Sequence, residues 1–275
     1  MRTTTRLFSR RNAGALSILV VATTFAAAGG CINNAITFDA AIVTNTSTWD
    51  EFDLLGRKLV NESGSLNGVE LTAGFSCNRW LYQAQISQFE GDRTYDGQTS
   101  TGTTVSSHSA LRQLQGHLQA GWSVNNAWQV AGRLSNHSTW RDIASAGGAS
   151  GYQERFEWTL LSLGSQWTTA VGPGQLKFGA WVGQQVNSQI SVTLPGRDQA
   201  SAALGAIRNA ELSVGWSVPL SQFWTLQADA HYVRTDINQS DEFVIRRNGV
   251  PVGGAHQPRL SIVDMPVSLR IGYVF

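Results

Sequence analysis

The last thirteen residues decide the fold: Val263-Asp264-Met265-Pro266-Val267-Ser268-Leu269-Arg270-Ile271-Gly272-Tyr273-Val274-Phe275. Odd positions are all apolar and finish in Tyr273 and Phe275. Even positions carry Asp264, Ser268, Arg270 and Gly272. A period of two places successive side chains on opposite faces of a strand, so one face here is wholly apolar and the other is polar.

The same alternation recurs upstream. Leu212, Val214, Trp216 and Val218 alternate with Glu211, Ser213, Gly215 and Ser217, and Trp224, Leu226, Ala228, Ala230 and Tyr232 with Thr225, Gln227, Asp229 and His231. Leu114, Leu118, Ala120 and Trp122 oppose Gln113, Gln115, His117 and Gln119. Trp128, Val130 and Leu134 oppose Gln129, Arg133 and Ser135. Trp80, Tyr82, Ala84 and Ile86, and before them Val69, Leu71, Ala73 and Phe75, follow the same rule. The polar faces hold Gln, Ser, Thr and Gly with a few charges of both signs, which suits an enclosed polar interior better than a water-facing surface.

Composition agrees. Hydrophobic residues make up 42% of the 275-residue chain, and charged residues only 14%, about half the share usual in soluble domains. Ten Trp and 28 Gly accompany them. Two cysteines exclude a disulfide scaffold, and no Cys/His group has zinc-site spacing. No phosphate loop, GxSxG elbow or other cofactor motif occurs, so neither a metal nor a cofactor is expected. The absence of a basic run or stripe argues against nucleic acid as a partner.

Residues 1–30 differ from the rest. Arg2, Arg6, Arg10 and Arg11 precede an apolar run from Ala13 to Ala22, and small residues follow from Ala26 to Gly30. That order is a secretory signal peptide, so 1–30 is expected to be removed and 31–275 to form one domain. Four of the 20 basic residues and none of the 19 acidic ones fall in this segment, leaving 16 basic against 19 acidic residues in the exported chain. Ala28-Gly29-Gly30-Cys31 resembles a lipobox and makes Cys31 a candidate for lipidation. Pairing with Cys77 in an oxidising periplasm is the alternative.

Combined with export, the strand ending in Phe275 resembles the final strand of Gram-negative outer-membrane β-barrels. The resemblance implies location in that membrane and a barrel-assembly machinery that reads the C-terminal strand. Connections alternate accordingly: short turns near Cys77-Asn78-Arg79, Asn125-Asn126, Gly172-Pro173-Gly174 and Pro219-Leu220-Ser221, and longer polar segments near 53–68, 91–107, 141–151, 195–205 and 238–258. Five long loops and four turns make ten strands, so the expected fold is an all-β, ten-stranded antiparallel transmembrane barrel with the turns periplasmic. Trp80, Trp122, Trp128, Trp167, Trp216, Trp224, Tyr273 and Phe275 lie near the turn ends and form an expected periplasmic aromatic girdle. Trp140, Trp158 and Tyr232 are expected in an outer one. Between Phe156-x-Trp158 and Leu161-x-Leu163 the apolar parity of one strand changes, and a bulge is the expected cause. The first strand is clear only from Ile36 to about Ile42.

Asp39, Glu70, His117, Arg133, Lys177, Glu211, Asp229, His231, Asp264 and Arg270 are predicted to point inward. Both signs are present, so ion pairs packing a narrow lumen are the expected role.

The layout also resembles the ten-stranded omptin proteases. That resemblance implies an acidic pair near the top of the third or fourth strand and an Asp-x-His unit above the seventh. Here the latter place reads Ser188-Gln189-Ile190; the Asp-x-His unit, Asp229-Ala230-His231, falls elsewhere, and Glu90, Asp92 and Asp96 are the candidate acids. Without a matching His the general-base role is empty. The Ser/His sets at Ser107-His108-Ser109 and Asn136-His137-Ser138-Thr139 alternate between faces and read as polar loop residues. The expected function is a non-enzymatic surface, structural or interaction protein of the outer membrane. A small pore and an omptin-like or lipid-modifying enzyme are the alternatives. Outer-membrane lipid and lipopolysaccharide are expected partners, with Arg234 placed to meet lipid phosphate, and the loops leave any external ligand unidentified.

Overall fold

A computed structural model describes residues 31, 34–98 and 102–275; the expected signal segment, 1–30, lies outside the described residues. Thirteen strands follow in order: β1 (Asn34–Phe52), β2 (Lys58–Cys77), β3 (Trp80–Gln98), β4 (Thr104–Ser123), β5 (Trp128–Ile143), β6 (Tyr152–Val171), β7 (Gly174–Thr193), β8 (Ala200–Ala202), β9 (Ile207–Pro219), β10 (Trp224–Ile237), β11 (Phe243–Arg247), β12 (Val250–Ala255) and β13 (Arg259–Val274). Each long strand pairs antiparallel with its neighbours, β1 joins β13, and β6 pairs β7, so ten strands close into a barrel with no free edge. The short β8 extends the sheet beside β7, and β11 with β12 forms a separate hairpin.

The wall follows the alternation. On β13 Met265, Val267, Leu269 and Ile271 are exposed, on β2 Val69 and Leu71, on β6 Leu161 and Leu163, and on β9 Leu212 and Val214. These form an outward apolar belt. Exposed apolar area of this extent is costly in water and favourable in hydrocarbon, and closure satisfies every wall hydrogen bond without solvent. Among the described residues no helix is long and apolar enough to cross a membrane; the crossing is made by strands.

At the turn end the aromatics interlock. Trp80 and Trp122 meet edge-to-face at 4.9 Å, Trp128 opposes Trp167 in register, and Trp167 stacks on Phe178. Trp224 meets Tyr273, and Tyr273 meets Phe275. The turns themselves are tight enough to need left-handed backbone at Asn78 (φ 55) and Gly172 (φ 58).

The strands extend well past the belt, and this corrects several expected boundaries. The segments read as loops at 53–68 and 91–107 are largely strand, and of the described residues only 53–57, 102 and 103 lie between the strands there. The first strand, whose alternation is clear in the sequence only to about Ile42, runs on to Phe52. Above the belt the outer face meets water, so outward residues turn polar (Asn67, Ser65 and Ser63 on β2), and the period-two apolar signal disappears although the strand continues.

Strand β6 supplies a second correction. Even residues point inward along its whole length, from Tyr152 and Glu154 through Phe156, Trp158 and Leu160 to Ser162, and the strand itself has no break in parity. The apolar residues change face: inward above the belt, where they build a dry core, and outward below it, where they meet lipid. The bulge sits across the pair, on β7, where Leu160 opposes Gln185 and Thr159 opposes Asn187, leaving Val186 as the extra residue. Trp158 is correspondingly inside, stacked on His137 with ring centroids 5.4 Å apart, rather than in an outer girdle.

Cys31 and Cys77 form a disulfide. The sulfur that lipidation would require is thus occupied, and the bond ties the chain ahead of β1 to the turn end of β2.

Candidate functional site in the barrel lumen

The lumen has three storeys. The lowest, at belt height, is a polar cavity of about 540 Å³. Asp39, Glu70, His117, Arg133, Lys177, Glu211, Asp229, His231 and Arg270 all line it. Asp264, from the same inward face of β13, stands just above, accepting from Asn45 Nδ2 at 3.0 Å and from Ser47 Oγ.

Two networks organise the charges. Glu211 accepts from Arg133 Nη1 at 2.7 Å and meets His231 Nδ1 at 3.0 Å. Arg270 pairs with Glu70, donates to Thr72 Oγ1 at 3.1 Å and lies 3.7 Å from Asp229, which Gln227 Nε2 also holds. The Arg133 guanidinium lies over the Trp181 ring at 3.9 Å. Trp181 fits only because residue 164 is glycine: a Cβ there would stand 2.2 Å from its ring.

The middle storey is dry. Leu66 and Leu160 are fully buried, and Ala41, Val43, Phe89 and Leu111 pack with Leu66. Beside them Trp49, Phe156, Ile190, Ile207, Ile237 and Leu260 form the largest core cluster. Against this core stands an ionic knot. Arg141 donates from Nε to Glu62 at 2.9 Å and from Nη1 to Glu51 at 2.9 Å and to Glu154 at 2.6 Å. Ser109 Oγ donates to Glu62 at 2.7 Å, and Arg93 binds Ser47 with Glu62 at 3.9 Å. Arg93 and Arg141 both lie over the Trp49 ring, at 5.6 and 5.2 Å. Both arginines are 1% exposed. Burial pushes the Glu154 carboxyl up to about 7 against the pull of Arg141, and burial, with the field of Glu51, pushes the Tyr95 hydroxyl up to about 12.

Above the knot lies an external vestibule of about 480 Å³ that shares no lining residue with the lower cavity. Glu51, Tyr95, Tyr152, Glu154, Val192, Leu194, Phe243, Ile245 and Gln257 are among its lining residues.

The sequence reading did not find the knot, because Arg93, Arg141 and Glu62 fall in segments assigned to loops. The signal was present: Arg93-x-Tyr95, Thr139-x-Arg141-x-Ile143 and Tyr152-x-Glu154-x-Phe156 keep the inward parity of their strands.

The candidate acids of the protease resemblance are not assembled. Glu90, Asp92 and Asp96 sit on the outward parity of β3, and Glu90 pairs with Arg112. Asp229 and His231 face the lower cavity, each engaged as above. His108 is exposed, whereas Ser109 is buried against Glu62. Arg234 is exposed but already paired with Asp236 through two donors, at 3.0 and 3.2 Å.

A closed antiparallel barrel with an outward apolar belt, an aromatic girdle and a polar lumen defines an integral β-barrel protein of the Gram-negative outer membrane. Comparison with solved structures places the chain among such barrels. It is similar to the outer-membrane protease OmpT of Escherichia coli, with a TM-score of 0.57 at 9% identity over 90% of this chain and 98% of that one. The translocator domain of the autotransporter NalP of Neisseria meningitidis aligns over 93% of this chain and 92% of that one, at 14% identity and a TM-score of 0.44. The outer-membrane protein OprG of Pseudomonas aeruginosa aligns over 90% and 98%, at 11% identity and a TM-score of 0.38. At 9% identity the property shared with OmpT is the fold. No family model matches the sequence, and no curated protein sequence matches it.

Proposed function

We propose that the protein is a non-conducting, non-enzymatic surface protein of the outer membrane, whose barrel holds a rigid external head for interaction. The observation that carries this reading is the dry middle storey. Trp49, Leu66, Arg93, Arg141, Phe156 and Leu160 each have less than 2% exposure, and the cavities below and above them share no lining residue. A pore needs a continuous wetted path, and the lower cavity ends beneath this layer. A hydrolase needs a nucleophile or activated water within reach of a base. His231, the member of the Asp-x-His unit that would serve, is turned to Glu211 below the plug.

Lipid and lipopolysaccharide are the proposed partners of the wall. The aromatic girdle supports this, as does Trp140 at the upper edge of the belt, where the guanidiniums of Arg112 and Arg155 lie 5.8 and 5.1 Å from its ring. The barrel-assembly machinery is the proposed reader of β13 and Phe275. Single-channel recording in planar bilayers tests the central claim. The expected trace is flat, and reproducible conductance steps from purified protein would replace this reading with that of a pore.

A further inference from the structure

We infer that the external vestibule is a binding site for a small organic cation with an apolar body and a hydrogen-bond acceptor. The inference goes beyond the surface role proposed above and stands whether or not the lumen conducts.

Space comes first. About 480 Å³ is open above the knot, inside the range of small-molecule pockets. Its wall mixes two kinds of group. Leu194, Phe243 and Ile245 offer apolar surface, and Glu51, Glu154, Tyr95 and Tyr152 add carboxylates and phenol rings to the same lining, Glu154 standing in register beside Val192.

Charge then selects the ligand. The knot sets three carboxylates, Glu51, Glu62 and Glu154, against two guanidiniums, Arg93 and Arg141, and Arg141 is shared among all three acids. Asp264, reached from Arg93 through Ser47, adds a fourth acid, so with Glu154 ionised, above about pH 7, negative charge is left over in a poorly hydrated setting, where it is expensive unless paired. The vestibule is where a positive charge can reach it. An anion would meet repulsion, and a neutral ligand would leave the excess unmatched. Tyr95 and Tyr152 line the same space, and the Tyr95 ring already has the Arg141 guanidinium 5.8 Å from its centre.

A second observation points to a ligand independently of the acids. Gln257 lines the vestibule at 3% exposure, its backbone N–H is satisfied by Ser240 Oγ at 2.8 Å, and its side-chain Nε2 has no hydrogen-bond acceptor among the described residues. Gln119 Nε2 and Gln129 Nε2 are left in the same way against the lower cavity, so in this molecule an unmet amide donor marks the wall of a cavity. A ligand hydroxyl or carbonyl would accept from it.

L-Phenylalaninol has the three required features: an ammonium, a phenyl body and a hydroxyl. Its N-acetyl derivative keeps body and hydroxyl without the charge, and 3-phenyllactate reverses the charge. The test is titration of full-length protein in lipid nanodiscs at about pH 8, above the value to which burial raises the Glu154 carboxyl, by calorimetry and saturation-transfer NMR, with empty nanodiscs subtracted. Saturable binding of phenylalaninol is expected, weaker by at least about tenfold for the N-acetyl derivative and absent for phenyllactate. Glu154→Gln is expected to weaken phenylalaninol by about tenfold while the barrel keeps its heat-dependent gel mobility. Should that variant fail to fold, Ile245→Trp, which fills the vestibule from the hairpin and leaves the knot intact, is expected to abolish binding. The inference is overturned by no saturable binding, by equal binding of the N-acetyl derivative, or by binding that survives Ile245→Trp.

Discussion

Arg141 shows most clearly how one side chain holds the upper barrel together. Its planar fork reaches three carboxylates on three other strands, β1, β2 and β6, and a lysine in its place would supply the charge without the geometry. The energetic weight of the residue lies in what its loss would strand. With Arg141→Ala, Glu51, Glu62 and Glu154 would remain buried, with Arg93 at 3.9 Å from Glu62 as the remaining cation of the knot. Removal of one partner from a buried ionic cluster typically costs about 3–5 kcal/mol. Urea unfolding of the barrel refolded into vesicles should therefore show a large drop in midpoint for Arg141→Ala and a smaller one for Arg141→Lys. An unchanged midpoint for the alanine variant would mean that the knot does not hold the strands. The position is hard to read from sequence for a local reason. Arg141-Asp142 precedes a Gly/Ser/Ala-rich stretch, and two adjacent charges beside such a stretch resemble a solvated loop until the parity of Thr139 and Ile143 is followed through them.

At the scale of elements, legibility tracked the solvent on the outer face. Below the belt edge every strand has lipid outside and polar groups inside, so the period-two pattern is plain; the ten lumen residues read as inward all stand on the inward parity of their strands. Above it the pattern inverts on β6 and fades on β2 and β3, because water replaces lipid and the dry plug replaces the polar cavity. The change at Leu160-Leu161 marks the height at which the barrel leaves the membrane. The Val186 bulge on the facing strand re-phases β7 at the same height, so that Gln185 points inward below it and Ser188, Ile190 and Val192 above it. No local pattern in β7 announces this, since Gln184 to Gln189 is almost uniformly polar apart from Val186. Pairing between Cys31 and Cys77 was one of two open alternatives, because an isolated cysteine after small residues serves either chemistry. The bond spans 46 residues, for which a chain-entropy estimate gives about 4 kcal/mol of stabilisation, to be taken as an upper value. Cys31→Ser, or reduction of the native protein, should lower the temperature at which the barrel opens on gels. Identical opening temperatures with and without reductant would show that the closed strand pairings suffice alone.

For the whole molecule, length decides where its parts lie. Strands of 19 or 20 residues, as in β1–β4, β6 and β7, rise about 3.4 Å per residue. At a tilt of about 40° they therefore project roughly 50 Å along the barrel axis. The apolar band of such barrels is about 25 Å tall, so nearly half of the wall built by these six strands stands clear of the membrane, while β5, β9, β10 and β13, of 16, 13, 14 and 16 residues, rise less far. That half contains the ionic knot and the largest apolar cluster, built from Trp49, Phe156, Ile190, Ile237 and Leu260. The molecule thus joins two solvent regimes along one set of strands: a wall that is apolar outside and wet inside, continuous with a head that is polar outside and dry inside. Such a wall has no free edge at which denaturant or detergent can begin to peel it, and its lower half is anchored in lipid. Protein expressed from its complete sequence should consequently fractionate with the outer membrane, resist dodecyl sulfate at room temperature, and change its gel mobility only on boiling. A band in the soluble fraction that ignores boiling would contradict both halves of this arrangement, because the outward apolar belt would then have to be covered by another protein surface.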